Sequence, residues 1–232
     1  MRRGGGFGSE DSSEYALSLV QREASRVSMS GSLVEDALGA PSDEDLVLAV
    51  QSGDTDSLGV LVARWEQPLF RFAFRLLQRT EDARDVCQET FLRILTRSER
   101  FRVGARFSTW MYQIALNLCR DHVRRRKRWR FLTFEADEGA VEHRVRERVE
   151  GPVSADPAAS LERDEIRRAI HKALGTLAPE QREVLVLKEF EGLKFREIAE
   201  ILGCPESTVK SRMYYGLTAL KGALARQGVE AP

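Results

Sequence analysis

Residues 195–217 read FREIAEILGCPESTVKSRMYYGL, and this stretch decides the fold. Phe195, Ile198, Ala199 and Leu202 recur at i, i+3, i+4 and i+7, which gathers them on one face of a helix. Gly203 follows at once and, lacking a Cβ, suits the positive-φ conformation that ends a helix. Pro205 fits the opening of the next helix. Val209, Met213, Gly216, Leu217, Leu220 and Leu224 then form a second buried stripe, and Ala199 is small where two crossing helices must come close. Two short helices around a tight turn make a helix-turn-helix. The second helix turns Ser207, Thr208, Lys210, Ser211 and Arg212 outward, side chains suited to phosphates and major-groove base edges. A plain helical hairpin has no need of this spacing.

Working outward, Leu161, Ile166, Ile170, Ala173, Leu174 and Leu177 predict a helix from Ser160. Pro179 opens the next, with Val184, Leu185 and Leu187 inward and Gly192 ending it. Together with the helix-turn-helix they predict a small C-terminal domain over 160–227, followed by a tail at 228–232. Residues 131–159 hold Gly139, Gly151, Pro152 and Pro157, with little apolar content after Phe134, and read as a linker.

Residues 41–130 predict a second helical domain. Ser42, Asp43 and Asp45 are helix-start signals before Leu46, Val47 and Val50. A helix from about Thr55 to Leu77 is expected to be kinked or divided by Pro68. A third runs from Glu81 to about Leu95, a loop spans Thr96 to Phe107, and a fourth helix runs from Ser108 to about Lys127. No segment keeps a period of two, so the expected fold is all-α: two small helical domains joined by a flexible linker. Residues 1–40 begin Gly- and Ser-rich and read as a disordered or partly helical extension.

Lys+Arg and Asp+Glu number 36 each, so net charge names no partner, but its distribution does. Residues 9–56 carry eleven acids against two arginines, whereas residues 99–130 carry ten bases against two acids. A basic run inside a neutral chain is a footprint for a polyanion. Cys87, Cys119 and Cys204 are odd in number and far apart, without metal-ligand spacing or a disulfide framework. They read as buried thiols in a reducing compartment. No apolar run is long enough for a membrane span or signal peptide, and the expected location is the cytoplasm. The three glycines near the start lack the Gly-Lys-Ser/Thr of a phosphate loop. No paired acids, metal cluster or nucleophile motif stands in a credible setting. We therefore expect no enzyme, cofactor, metal or small-molecule substrate.

Residues 107–129, FSTWMYQIALNLCRDHVRRRKRW, carry the second functional signal. Phe107, Met111, Ile114, Ala115, Leu118 and His122 make one stripe, the core face. Trp110, Gln113, Asn117, Arg120 and Arg124 stand opposite, so a tryptophan lines up with amides and arginines; Tyr112 lies to the side. A flat ring, amides and cations are what single-stranded DNA binding needs.

Two blocks of sequence resemble the bacterial RNA polymerase sigma factors. Asp82-Ala83-x-Asp85-Val86-x-Gln88-Glu89-Thr90-Phe91-Leu92-x-Ile94-Leu95, then Phe107-Ser108-Thr109-Trp110-Met111-Tyr112-x-Ile114-Ala115-x-Asn117 and Asp121-His122-x-Arg124-Arg125, resemble region 2. Leu177-Ala178-Pro179-Glu180-Gln181-Arg182-Glu183-Val184, Glu191-Gly192-x-x-x-x-Glu197-Ile198-Ala199 and Thr208-Val209-Lys210-Ser211-Arg212 resemble region 4. The order is that of the family. Nothing of domain size lies between them, which is similar to the compact extracytoplasmic-function (ECF) group.

The resemblance implies a protein that binds core RNA polymerase at its clamp helices and flap, directs it to promoters and helps open the DNA. Arg84, Asp85, Gln88, Glu89 and Phe91 match the polymerase-docking helix. Phe107, Trp110, Tyr112, Gln113 and Asn117 match the part that captures the −10 strand, and the loop Arg100–Arg106 the place of a flipped-base pocket. Arg120, Arg124, Arg125, Arg126, Lys127 and Arg128 would hold that strand's backbone. Glu206, Ser207, Thr208, Lys210, Ser211 and Arg212 match the −35 recognition helix. The chain departs from the family where Tyr214 and Tyr215 replace frequent basic residues. Its partners would be core polymerase, duplex and single-stranded promoter DNA, and an anti-sigma factor that could hold it at the inner membrane. A linker of 29 residues reaches roughly 30 Å, close to the roughly 34 Å of one DNA turn. The acidic first 40 residues are expected to act, if at all, as a self-masking arm. The competing reading is a helix-turn-helix regulator that binds duplex DNA without polymerase.

Overall fold

The computed structural model describes residues 41–133 and 157–229, with Ser18 and Gln21 ahead of them. The rest of the 1–40 extension, most of the expected linker and the last three residues lie outside the described residues. Every regular element among the described residues is helical.

Ser42 caps α1 (Asp43–Gln51): its hydroxyl accepts from the Asp45 N–H at 3.1 Å, and the Asp45 carboxylate accepts in return from the Ser42 N–H at 3.3 Å. This reciprocal cap satisfies two amides that a helix start leaves unpaired. Asp43 also anchors α1 to α2 (Asp56–Leu77), accepting from Arg64 and from the Trp65 indole N–H, each at 2.9 Å. α2 runs unbroken through Pro68, where a division was one expected outcome. The apolar residues beyond the proline account for this: Leu69, Phe72 and Ala73 are fully buried, so ending the helix there would strip them from the core.

α3 (Thr80–Thr96) returns along α2, a short 3₁₀ turn (Ser98–Arg100) follows, and α4 (Phe107–Thr133) lies across both. α4 extends six residues beyond the expected Lys127. α5 (Pro157–Thr176) starts three residues before the expected Ser160, with Pro157 in the first helical position, where its missing N–H is harmless. α6 (Pro179–Leu185) continues into a π-helical turn, Val186–Phe190. α7 (Phe195–Leu202) and α8 (Glu206–Ala225) form the helix-turn-helix, with Gly203 at φ 65° between them as expected.

The two helical units are not merely strung together. α2 packs on α5 and on the π-helical turn, and α4 packs on α7. A single contiguous apolar core runs from Leu46 in α1 to Leu224 in α8.

Candidate nucleic-acid interface

The tryptophan-bearing face of α4 begins with the loop before it. Gln51 donates to the Ser98 and Phe101 carbonyls at 2.6 and 2.9 Å, fixing the 3₁₀ turn to α1. Glu44 accepts from the Phe107 N–H at 2.8 Å, so a carboxylate sits at the positive end of α4 and sets where it starts. Phe107 is fully buried and meets Trp65, Phe101 and Trp110 edge-on at 6.0–6.5 Å. Its expected role on the strand is corrected: it is a core residue whose packing orients Trp110.

Trp110 is half-buried, braced by Phe101 at 5.4 Å, and its remaining surface opens on a small depression shared with Arg93, Arg97, Arg100, Ile114 and Asn117. Gln113 and Asn117 are exposed beside it. Arg93 and Arg97 were not among the expected site residues. Arg93, Arg97 and Arg100 recur at i, i+4 and i+7, so the sequence itself carries a signal for them. Glu89 ties down Arg93 at 2.9 Å.

Tyr112 is corrected as well. Its ring is 2% exposed, 4.8 Å from Phe72 and 6.1 Å from Trp65, so it belongs to the core. Its hydroxyl donates to Glu191 at 2.5 Å. Burial and the Glu191 charge push the phenol well above the ordinary tyrosine range. Burial raises the Glu191 carboxyl in turn, an effect that Arg75, the Tyr112 hydroxyl and Arg71 oppose. Arg120 is half-buried and meets Glu183 through two hydrogen bonds, which raise its pKa. Farther along α4, Arg124, Arg125, Lys127 and Arg128 are exposed and Arg126 is half-buried; Arg124 pairs with Asp121.

On α8, Glu206, Ser207, Lys210 and Ser211 are exposed, while Thr208 and Arg212 are half-buried. Arg212 leans back toward the turn, its guanidinium 3.9 Å from the Cys204 sulfur. Lys210 lies 3.9 Å from Glu206 and 5.8 Å from the Phe195 ring centre. Tyr214 and Tyr215 continue this surface, both largely exposed.

On the opposite side of the N-terminal unit, Arg84, Asp85 and Gln88 are exposed and Glu89 is half-buried. Phe91 is buried at the floor of a groove between α2 and α3, whose rim includes Leu58, Leu92 and Leu95. Leu92 and Leu95, 49% and 36% exposed, leave apolar surface open along this groove. The Cys87 thiol is pushed up to about 12 by burial, which keeps it protonated and unreactive.

A chain whose described elements are all helical, with a helix-turn-helix preceded by a cationic, tryptophan-bearing helix, has the layout of a DNA-binding transcription protein. The description of sigma-70 region 2 matches residues 61–129, and that of sigma-70 region 4 matches residues 167–220. The chain is 32% identical over 186 residues to the RNA polymerase sigma-H factor of Pseudomonas aeruginosa, covering 78% of this chain and 93% of that protein. It is also 32% identical to the ECF RNA polymerase sigma factor SigW of Bacillus subtilis, over 75% of this chain and 92% of the relative. Among solved structures, CnrH in complex with the cytosolic domain of CnrY aligns at a TM-score of 0.58 and 25% identity, over 80% of this chain and 99% of CnrH. The chain belongs to the sigma-70 family, in its ECF group.

Proposed function

We propose that this protein binds core RNA polymerase, carries it to promoters with two upstream elements and promotes DNA opening. The observation that carries this reading is the coexistence of two unlike nucleic-acid surfaces. α8 offers a polar, exposed face of the size a major groove admits. α4 offers an aromatic ring among amides and arginines, which suits unpaired bases and not a duplex. A regulator of closed duplex DNA has no use for the second surface.

In this reading Glu206, Ser207, Thr208, Lys210, Ser211 and Arg212 read the −35 element. Trp110, Gln113 and Asn117 engage the −10 strand, with Arg120, Arg124, Arg125, Arg126 and Lys127 along its backbone. Arg84, Asp85, Gln88, Glu89 and Phe91, along the open groove between α2 and α3, meet the polymerase clamp helices. An anti-sigma factor is the expected antagonist. No described helix is long and apolar enough to cross a membrane.

The deciding experiment is transcription by purified core polymerase on fragmented genomic DNA, with and without this protein, mapping 5′ ends. New starts that share two upstream motifs at fixed spacing are expected. No new starts, together with duplex binding and no binding to core polymerase, would overturn the reading in favour of a plain regulator.

A further inference from the structure

Tyr214 and Tyr215 stand side by side in the middle of α8, 68% and 61% exposed. Their rings meet edge-on, with centroids 5.5 Å apart and planes at 75°, so each limits the other's rotation. The core needs neither ring, because Met213 and Gly216 on either side supply the buried stripe. Tyr214 lies one turn beyond Lys210, and Tyr215 one turn beyond Ser211. Ser207, Lys210, Ser211, both tyrosines and Thr218 are all exposed, and their spacing puts them on one face of the helix. That face begins with the residues assigned above to the upstream duplex, so the tyrosines extend it and do not open another.

The donors on this face are unequally committed. Ser211 donates to the Ser207 carbonyl at 2.9 Å and Thr218 to the Tyr214 carbonyl at 3.1 Å, which keeps both protons inside the helix. Neither phenol hydroxyl is engaged among the described residues. Lys210 is the one cation among the exposed residues from Ser207 to Thr218, since Arg212 is half-buried and leans toward Cys204. Depth decides what the phenols meet. A recognition helix enters the major groove by its N-terminal residues, and that groove is about 8.5 Å deep. From Ser207 to Tyr214 is seven residues, roughly 10 Å of helix at 1.5 Å per residue. With Ser207 at the base edges, the tyrosines stand at the rim of the groove, level with the phosphates. Tyrosine is among the side chains that donate to phosphate oxygens in protein–DNA interfaces.

We infer that Tyr214 and Tyr215 form a neutral phosphate clamp: their hydroxyls donate to the DNA backbone at the edge of the upstream element and hold α8 in register without adding to the salt dependence of binding. This rests on the assignment of α8 to duplex DNA made above. A cation on a phosphate releases a counterion, and its contribution fades as salt rises. A phenol releases none, so its contribution persists.

The test uses the full-length chain, a duplex carrying an upstream element found by start mapping, duplexes with single base-pair changes in that element, and a scrambled duplex. Tyr214→Phe with Tyr215→Phe keeps both rings and removes only two solvent-facing hydroxyls, so folding is preserved. Affinity should fall about tenfold for the loss of two hydrogen bonds to charged oxygens. The fall should be the same factor on matched and singly changed duplexes, with an unchanged slope of log affinity against log salt. Tyr214→Lys with Tyr215→Lys should steepen that slope by roughly 2, one counterion for each new cation on a phosphate. Wild-type affinity in the phenylalanine variant would overturn the clamp, and so would a loss confined to one base pair, which marks a base contact. Unchanged duplex binding with weakened binding to core polymerase would assign the pair to a protein interface instead. A wild-type chain that binds matched and scrambled duplexes alike would sink the assignment of α8 and the clamp with it; that failure shows before any tyrosine is changed.

Discussion

Arg120 of α4 and Glu183 of α6 face each other across the two helical units as a bidentate pair, 63 residues apart in sequence. The two sides of the pair are unequal: the Glu183 side chain is 8% exposed and that of Arg120 is 35% exposed. Removing Arg120 leaves a buried carboxylate without its partner, whereas removing Glu183 leaves an arginine that can swing into water. Arg120→Ala should therefore destabilise the chain by about 1–3 kcal/mol and Glu183→Ala by less. Urea denaturation midpoints of the two variants check the order; equal losses would mean that the pair is effectively solvated.

His171 supplies a pH dependence. Its ring stacks on Phe74 at 4.5 Å, across the same contact between units, and its pKa falls to about 4. Burial is the main cause; Arg75 from α2 and Arg182 from α6 add to it, and a backbone hydrogen bond with Phe74 partly opposes them. A depressed histidine contributes stability that is present above its unfolded pKa of 6.5 and is lost as pH falls toward 4. The slope reaches about 1.4 kcal/mol per pH unit at most. The raised Glu191 carboxyl works in the opposite sense, since it takes up its proton more readily when folded. His171→Phe keeps the stack and removes the titration, so its stability relative to wild type should improve steadily between pH 6.5 and 4.5. Parallel stability curves for the two proteins would reject this account.

Local periodicity made the elements legible, and contacts between units made the rest illegible. The helix-turn-helix could be read because Gly203, Pro205 and the stripes on either side act within one turn of each other. Pro68 could not be judged from its neighbours, because the burial of Leu69, Phe72 and Ala73 that carries α2 past it is tertiary. Tyr112 was misplaced for a similar reason. On a helical wheel it falls between the core stripe and the polar face, and only the packing of Phe72, Trp65 and Glu191 around it decides its role. The acids at 183, 191 and 197 carried no sequence signal of pairing with α4 and the loop before it, since partners 63 to 91 residues away leave no local pattern.

Gly216 probes the seam inside the C-terminal unit. A Cβ built there would stand 3.0 Å from the Leu185 Cδ1 and 3.4 Å from the Gln181 Cβ. Gly216→Ala should gain helix propensity in α8 yet lose more by forcing α6 away, a net loss of about 1–2 kcal/mol. Thermal denaturation measures the sum, and the companion change Leu185→Val should recover part of the loss by clearing the contact.

Trp110→Ala should separate polymerase docking from DNA opening, because Trp110 sits on α4 and the groove proposed for docking lies between α2 and α3. Trp110→Ala removes a stacking surface worth roughly 1–3 kcal/mol per base, or about five- to 150-fold in an equilibrium. The expected outcome is unchanged affinity for core polymerase, a deficit of that size on closed templates, and partial recovery on templates already melted around the −10 element. Wild-type activity on both templates would remove Trp110 from the strand-binding face.

Lys210 tests whether α8 meets phosphates. Its ammonium is exposed and only loosely paired, 3.9 Å from Glu206, so little intramolecular bonding is lost when it engages DNA. A lysine on a phosphate releases about one counterion, and its loss should flatten the slope of log affinity against log salt by about 1 while weakening all sequences alike. A lysine that reads a base edge behaves differently: its removal relaxes preference at one position and leaves the slope nearly intact. Lys210→Ala, titrated against the upstream duplex from 50 to roughly 200 mM salt on matched and mutated sites, tells the two apart. We expect the flattened slope, because the Lys210 ammonium lies over the Phe195 ring of α7 and is only loosely held by Glu206.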